Sequence, residues 1–374
     1  MRHNWEYKRL GEVCEIQPGQ RIVSKDTLPG EYFVYGGGGA TFTTQNYNRE
    51  NSMIVSRFAM SHCCVRFVKG KFFLNDSGLS VNTHSPLLDQ GYLDKYLWSN
   101  QSLIYSLGRG AAQKNLYMKA FSDIKLPIPP IKEQELIVAE LDKINEIIND
   151  CKEVIRNLDA LAQSLFYDYF GDPITNPKGW EVKTFKQILS KIGSGATPRG
   201  GEEAYLGGNI SLIRSLNVYN TFFKFEGLAK INENQAFELR NVEVHEGDVL
   251  LNITGASVAR CYIVPPKTLP ARVNQHVAIL RPMPNYITSI YLHQLIILKS
   301  FQDYLIRLSR IKNATREALP KAILERIIIP IPPLELQERF AYHIKQIEQQ
   351  KKGLEETIAN MQTLLKSRMD YWFN

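Results

Sequence analysis

Residues 127–170 read PIPPIKEQELIVAELDKINEIINDCKEVIRNLDALAQSLFYDYF, and residues 330–373 read PIPPLELQERFAYHIKQIEQQKKGLEETIANMQTLLKSRMDYWF. Both stretches belong to an internal duplication, because residues 111–170 align with residues 314–373 without a gap. In this alignment 16 of 60 residue pairs are identical, including every residue of the PIPP tetrapeptide. The duplication predicts two copies of one structural unit.

A heptad pattern follows each PIPP, with seam positions that recur in alternating steps of four and three. Because prolines lack an amide donor and disfavour helix before them, each helix should begin directly after PIPP. At 1.5 Å per residue, each helix would be roughly 55 Å long. The first seam is Ile137, Leu141, Ile144, Ile148, Cys151, Ile155, Leu158, Ala162, Leu165 and Tyr169. The second seam is Phe340, Ile344, Ile347, Lys351, Leu354, Ile358, Met361, Leu365, Arg368 and Trp372.

A seam of this length has to be buried, because removing apolar surface from water stabilises by roughly 25 cal/mol per Å². The other copy's seam is a partner in the same chain, and the folded block between the helices favours an antiparallel coiled coil. Alternatively, each helix packs on the core of its own domain. The strict two-position seam favours the pair, since a helix on a globular core usually carries a wider apolar stripe.

The block before each PIPP has the composition of strands and short helices. Lys69-Gly70-Lys71 is interpreted as a turn between two strands, and Trp5-Glu6 of the first copy matches Trp180-Glu181 of the second. Between this Trp and PIPP, the second copy has about 28 more residues. In the first copy, β-branched and aromatic runs predict strands at Met53–Arg57, Cys63–Val68 and Phe72–Asn75.

The sequence therefore predicts an α+β fold with a pseudo-two-fold internal repeat. Two similar globular domains would be joined by two long helices that form an antiparallel coiled coil. The predicted segments are a first domain, a first helix, a linker, a second domain and a second helix, at residues 1–130, 131–170, 171–179, 180–333 and 334–374.

Positive charge is concentrated in the two blocks that precede the helices. Residues 1–130 hold 15 Lys and Arg against 10 Asp and Glu, and residues 176–333 hold 20 against 12. Residues 131–175 hold 4 against 10, and residues 334–374 hold 6 of each sign. The two positive blocks should attract a polyanion such as DNA, because neutralising phosphates releases counterions.

Motifs for several kinds of chemistry are absent from the sequence. It has no GxxxxGK[ST] phosphate loop, no HxH or HExxH spacing and no CxxC pair, which argues against an NTPase, a metal enzyme and a zinc knuckle. Glu181-Val182-Lys183 loosely imitates a nuclease motif but recurs as Glu6-Tyr7-Lys8. His62-Cys63-Cys64 is interpreted as packing, and Gly36–Gly39 as a flexible turn. With no signal peptide and no membrane-length apolar run, we expect a cytoplasmic protein with reduced cysteines.

Three features together resemble one protein family. They are the Trp-Glu start of each copy, the Ser194-Gly195-Ala196-Thr197-Pro198 stretch, and the PIPPxxxQE beginnings of the duplicated helices. Over essentially its whole length, the chain resembles the specificity (S) subunit of type I restriction-modification systems. The resemblance implies that the two globular domains are target recognition domains, each reading one half of a split double-stranded DNA sequence.

The resemblance also implies a set of partners. The helices would fix the unread gap and dock two modification (methyltransferase) subunits, which carry S-adenosylmethionine, and restriction subunits would join in the full complex. The S subunit itself would have no enzyme activity, no cofactor and no contact with a membrane.

Candidate DNA contacts are basic and amide side chains of the two positive blocks. Arg can read guanine and Asn or Gln can read adenine in the major groove, whereas Lys mostly contacts phosphate. The candidates in the first block are Arg57, Arg66, Lys69, Lys71, Arg109, Gln113, Lys114 and Asn115. The candidates in the second block are Arg199, Arg214, Asn252, Arg260, Arg310, Lys312, Asn313 and Arg316. Solvated surface loops are the alternative interpretation of these residues.

Two other functions are compatible with the pattern. A structural coiled-coil scaffold would use the same helices to present end domains that bind proteins. A stand-alone methylase or nuclease would require a catalytic site of a kind that the sequence does not reveal.

Overall fold

The computed structural model describes residues 5–198, 205, 207–310 and 317–373. Internal contacts divide the chain into two compact units. Unit 1 comprises Met1–Lys152 and Leu354–Asn374, and unit 2 comprises Glu153–Gly353. The division passes through both long helices, so each unit contains a part of each helix. The division into five segments stays a prediction.

Unit 1 contains the elements of the first copy. Its strands are β1 (Glu6–Arg9), β2 (Cys14–Pro18), β3 (Tyr32–Gly36), β4 (Gly39–Thr44), β5 (Arg49–Ser56), β6 (Val65–Leu74), β7 (Gly78–Thr83), β8 (Gly108–Arg109), β9 (Asn115–Leu116) and β10 (Lys125–Ile128). Its helices are α1 (Leu10–Val13), α2 (Gln90–Ser99), α3 (Gln101–Ser106), α4 (Met118–Ser122), the first part of α5 (Ile131–Phe170) and the last part of α11 (Leu334–Phe373). The main sheet has the order β2-β7-β5-β6-β3-β4, and the first strand β1 pairs antiparallel with the last strand β10.

The predicted turn at Lys69-Gly70-Lys71 is wrong. Strand β6 runs through these residues without a break and pairs with β5 along most of its length. Gly70 takes a φ of +78°, and its amide donates to Asn51 Oδ1 at 2.8 Å beside a shift in the strand register. A glycine in the left-handed region therefore forms an irregularity within the strand instead of ending it.

Unit 2 contains the elements of the second copy. Its strands are β11 (Val182–Thr184), β12 (Leu189–Ser194), β13 (Ile210–Ile213), β14 (Ala229–Ile231), β15 (Glu243–Val244), β16 (Val249–Asn252), β17 (Cys261–Ile263), β18 (Ala271–Val273), β19 (Val277–Pro282) and β20 (Ile328–Pro330). Its helices are the rest of α5, α6 (Phe185–Ile188), α7 (Glu233–Glu238), α8 (Ser289–Ile297), α9 (Lys299–Ser309), α10 (Lys321–Leu324) and the first part of α11 (Leu334–Phe373). The strands form the sheets β12-β19-β16-β17 and β14-β13-β18-β15, and β11 pairs antiparallel with β20.

The long helices α5 and α11 lie where the heptad pattern predicts them, and they contact each other in each unit. In unit 2 the ring of Phe340 lies 5.0 Å from that of Phe170, while Lys351 bonds to Asp159 at 2.7 Å. Later residues of α11 thus meet earlier residues of α5, so this part of the pair is antiparallel. In unit 1 the α5 seam and the end of α11 share one apolar core.

Polar seam residues pair across the helices in both units. In unit 2 Lys351 is 5% exposed and binds Asp159 and Glu348. Burial lowers the pKa of Lys351, but the two carboxylates together raise it above its usual value. In unit 1 both Arg368 and Trp372 donate to Glu140, and the hydrogen bond from Arg368 is the main cause of the lowered pKa of that carboxyl.

A buried glutamine ties the start of each long helix to the globular part of its unit. Gln337, at 0% exposure, donates to Pro332 O at 2.9 Å and Tyr286 O at 3.1 Å. Its Oε1 accepts from the amide of Thr288, the residue that caps α8, at 2.9 Å. Gln134 makes the same three bonds in unit 1, with Pro129, Leu87 and the α2 cap Asp89.

We predict that Gln337→Ala destabilises unit 2 by about 3 kcal/mol, because it leaves one buried carbonyl and two partly buried backbone groups without their partners. Gln346→Ala is the matched control, since Gln346 is an exposed glutamine of the same helix. Urea unfolding of the full chain measures the effect, together with hydrogen exchange at the Thr288 amide. Equal behaviour of the two variants would show that the glutamine bonds do not stabilise the helix start.

Candidate nucleic-acid interface

In unit 1, three loops converge at one end of the β5–β6 strand pair. They are the β3–β4 turn, the loop 57–64 and the β8–β9 hairpin, and we call them the unit 1 loop cluster. Met60 N donates to Lys114 O at 2.9 Å, which joins the loop to the hairpin. Ser56 Oγ donates to Gly37 O at 2.8 Å, which joins the end of β5 to the β3–β4 turn.

Cations of the unit 1 loop cluster lie over aromatic rings. A ring fixes a cationic side chain without neutralising it, so the charge stays available to a phosphate. Gln113 at the hairpin tip is exposed, and Asn115 Oδ1 accepts from Ala59 N at 3.3 Å. The cation–ring pairs, with distances to the ring centroid, are Arg57 over Phe58 at 4.7 Å, Arg109 over Tyr117 at 3.4 Å and Lys114 over Tyr105 at 4.2 Å.

Three predicted residues of unit 1 do not belong to these pairs. Arg66 is held by backbone carbonyls, and Lys69 and Lys71 lie farther along β6. Arg66 borders the cluster, where its Nη2 donates to Gly37 O at 3.0 Å and Cys63 O at 3.1 Å. Lys69 and Lys71 are exposed but lie toward the far end of β6, on the order of 20 Å from loop 57–64 at the usual strand rise. A hydrogen bond with Tyr47 raises the pKa of Lys71.

In unit 2, several loops also converge, and we call residues 195–198, 214–222, 252–260, 274–276 and 317–318 the unit 2 loop cluster. Hydrogen bonds join these loops in pairs. They are Gly195 N to Asn274 O at 3.1 Å, Asn252 Nδ2 to Ser215 O at 2.9 Å, Ile253 N to His276 O at 3.0 Å and Gly255 N to Glu317 O at 3.0 Å.

The described cations of this cluster are also held in place. Arg260 lies over the ring of Tyr219 at 4.7 Å. Arg214 donates to Gly227 O at 2.8 Å. The exposed Arg310 lies outside the cluster as defined but bonds to its residue Glu317, at Oε1, at 3.0 Å. Four predicted residues lie outside the described part of the chain, namely Arg199, Lys312, Asn313 and Arg316.

The structure corrects the prediction that Asn252 contacts DNA. Its side chain is 0% exposed, and Nδ2 donates to Ser215 O at 2.9 Å and Val218 O at 3.4 Å. The amide satisfies buried backbone carbonyls, so it has no surface to present to a base. Its role is to hold the loop that carries Arg214 and Tyr219.

Polar residues that sequence reasoning missed lie beside the Ser194–Pro198 motif. Thr197 bonds to Gln275, and Thr254 Oγ1 lies 2.6 Å from His276 Nδ1. Gln275 Nε2 lies 3.3 Å from His276 Nε2, which links the two pairs into one network. The Ser194–Pro198 motif is the one part of this network that the sequence points to, because Thr197 belongs to both. The other members of the network are distant from the motif in sequence.

The cysteines of the unit 1 loop cluster do not form a reactive pair. Cys64 is buried beside the exposed Cys63, as packing requires, and burial raises the pKa of the Cys64 thiol, which makes it a poor nucleophile. Within the described residues, no three His, Cys, Asp or Glu side chains come together as a metal site would require. Over the same residues, no helix combines the length and apolar character needed to cross a bilayer.

Comparisons with known proteins agree on one family. The family model for the type I restriction modification DNA specificity domain matches residues 2–157 and again residues 177–361. The type I restriction enzyme MjaVIII specificity subunit of Methanocaldococcus jannaschii is 21% identical, over 92% of this chain and 86% of its own length.

Solved structures show the same fold. The type I restriction-modification system S subunit from M. genitalium has a TM-score of 0.60 at 16% identity, covering 98% of this chain and 96% of that chain. A chain from a structure of complex assembly and conformational transition in the type I R-M system has a TM-score of 0.59 at 19% identity, covering 99% and 97%.

We expect acid to lower the stability of unit 2 through His293. Its Nε2 donates to Asn220 O at 3.1 Å and to Cys261 O at 3.2 Å. Burial lowers the pKa of His293 from 6.5 to about 4. The unfolded chain therefore binds a proton first, so we predict that about 3 kcal/mol of stability is lost as pH falls from 6.5 through 4. His293→Gln keeps a donor but does not titrate, so its melting temperature should fall less steeply over this range. Parallel pH profiles would contradict the prediction.

Proposed function

The chain belongs to the type I restriction modification DNA specificity domain family, and on this premise we propose that it reads a bipartite DNA target as the specificity subunit of a type I restriction-modification complex. Each loop cluster contacts one half of the target. The observation that carries the proposal is that the family match occurs twice and each matched copy holds its own set of cations over aromatic rings.

The chemistry of the clusters supports DNA as the ligand. Arg109 and Arg260 are each held against a tyrosine ring, so their guanidinium groups lose little freedom when they bind a base edge or a phosphate. Gln113 presents an exposed amide, which can pair with adenine in the major groove. The clusters thus combine charge for affinity with planar donors for base recognition.

We further propose that α5 and α11 form one antiparallel coiled coil along their whole length, which sets the unread gap between the half-sites. The antiparallel contacts between Phe170 and Phe340 and between Asp159 and Lys351 support this pairing in unit 2. The pair of Glu140 with Arg368 supports it in unit 1.

The outer faces of the helices are the proposed docking surfaces for two modification subunits, with restriction subunits completing the assembly. Leu136 on α5 is 71% exposed and Tyr342 on α11 is 62% exposed, although both lie on helices that bury a seam. Apolar side chains outside the seam suit contact with protein partners rather than with DNA. In this proposal the chain itself is non-catalytic, holds no cofactor and acts in the cytoplasm, where its DNA is found.

Footprinting of the full chain assembled with its modification subunits tests the DNA proposal. We expect two protected patches separated by an unprotected gap. Arg109→Gln should weaken one patch and Arg260→Gln the other, each by about tenfold in affinity, because each removes a base or phosphate contact from one half-site. Lys25→Gln is the control, since Lys25 is an exposed lysine of unit 1 outside its loop cluster. A complex that protects no DNA would favour the protein-binding scaffold instead.

Insertion of one heptad into each long helix tests the proposed spacing role. Seven residues placed after Lys152 and seven after Gly353 keep the seam in phase and lengthen each helix by about 10 Å. The unread gap should grow by about three base pairs, at 3.4 Å per step, with the bases of both half-sites unchanged. Methylome sequencing of cells that express the complex measures the gap. If the gap stays the same, the helices do not set it.

A further inference from the structure

Unit 2 presents a rigid hairpin at residues 217–224. Val218 pairs with Phe223 across it, and Tyr219 N donates to Phe222 O at 3.2 Å to close a tight turn. The side chain of Asn217, at 0% exposure, donates to Lys224 O at 2.9 Å. The hairpin is therefore held by backbone pairing and by a buried amide.

The tip of this hairpin is anchored to the body of unit 2 through Asn220. Its Oδ1 accepts from Cys261 N at 3.1 Å, and its carbonyl accepts from His293 Nε2 at 3.1 Å. Neither anchor uses the ring of Tyr219 or of Phe222. The conformation of the turn is thus fixed without any contribution from the rings at its tip.

The aromatic residues of the hairpin divide between core and solvent. Phe223 is 6% exposed and belongs to an apolar core of unit 2. Its neighbour Phe222 is 47% exposed and stacks on Tyr219, with ring centroids 4.4 Å apart and planes 11° apart. Arg260 lies over the same tyrosine at 4.7 Å. A cation, a tyrosine and an exposed phenylalanine therefore form an ordered stack at the surface.

We infer that Phe222 is an apolar wedge that inserts at a base step of the DNA half-site read by unit 2. This inference rests on the proposed function and adds a bending element to it. A stack of flat groups that ends in an exposed ring is extended most naturally by a base, because bases stack on aromatic rings whatever their identity. Wedges of this kind partly unstack a step and kink the duplex.

The charge around the stack favours DNA over a protein partner. Arg260 belongs to the stack, and Lys267 lies over the neighbouring Phe225 at 3.7 Å from its centroid. Arg260 therefore places positive charge beside the stack, where the phosphate backbone that flanks an opened base step would lie. Because the hairpin is ordered before binding, insertion requires no loop to be fixed at that moment.

The test uses the assembled complex and duplexes that carry 2-aminopurine at successive positions of the half-site weakened by Arg260→Gln. Wild-type protein should raise the fluorescence at one step and bend the duplex, as measured by energy transfer between end labels. Phe222→Ala should abolish the fluorescence rise, reduce the bend and weaken binding about tenfold, whereas Phe222→Trp should retain all three. Phe237→Ala is the matched control, because Phe237 is a 67% exposed phenylalanine of unit 2 that lies near an arginine but outside the loop cluster.

The melting temperature of Phe222→Ala should equal that of the wild type, because the ring is absent from the core. Unchanged fluorescence and bending in this variant would overturn the wedge and leave the proposed function standing. Normal DNA behaviour with weaker binding of the modification subunits would also overturn it, by assigning the ring to a protein contact. A wild-type complex that binds no duplex would overturn both.

Discussion

The structure depends on how the first turn of each long helix is joined to its globular unit. A helix that begins after prolines has no preceding turn to fix its direction, and the buried glutamine supplies that constraint by bonding to three backbone groups. In unit 2 it holds the α8 cap and the PIPP segment together, and Tyr291 also donates to Pro330 O at 2.8 Å. The helix is thereby aimed relative to the strands that carry the loop cluster.

Charge in the seam complements this constraint. Apolar seams permit sliding by a heptad, whereas a buried ammonium or guanidinium group has to meet its carboxylate. Lys351 meets Asp159 in unit 2, and Arg368 meets Glu140 in unit 1. The aligned residues of the first copy are Ile148 and Leu165, so the two helices are alike in pattern but not interchangeable.

Periodic features were predictable from the sequence, and features built from distant contacts were not. The heptads gave α5 and α11 because a period of 3.5 is a local property, and the duplication made each copy support the other. The continuous strand through Gly70 depends on pairing with β5, which the Lys-Gly-Lys composition conceals. A polar side chain such as that of Asn252 is typical of a surface position, but its partners here are carbonyls more than thirty residues away. The loop clusters likewise assemble from segments that no spacing rule connects.

The strand pairs β1–β10 and β11–β20 place the beginning and the end of each globular block side by side. A segment whose two ends are neighbours can grow or shrink without disturbing what lies outside it, which explains how the second copy accommodates about 28 additional residues. The same closure makes each block a cassette. Exchange of the coding segment between the tryptophan and the PIPP tetrapeptide with that of a distant relative keeps both helix starts intact, so new recognition can arise by recombination in a single event.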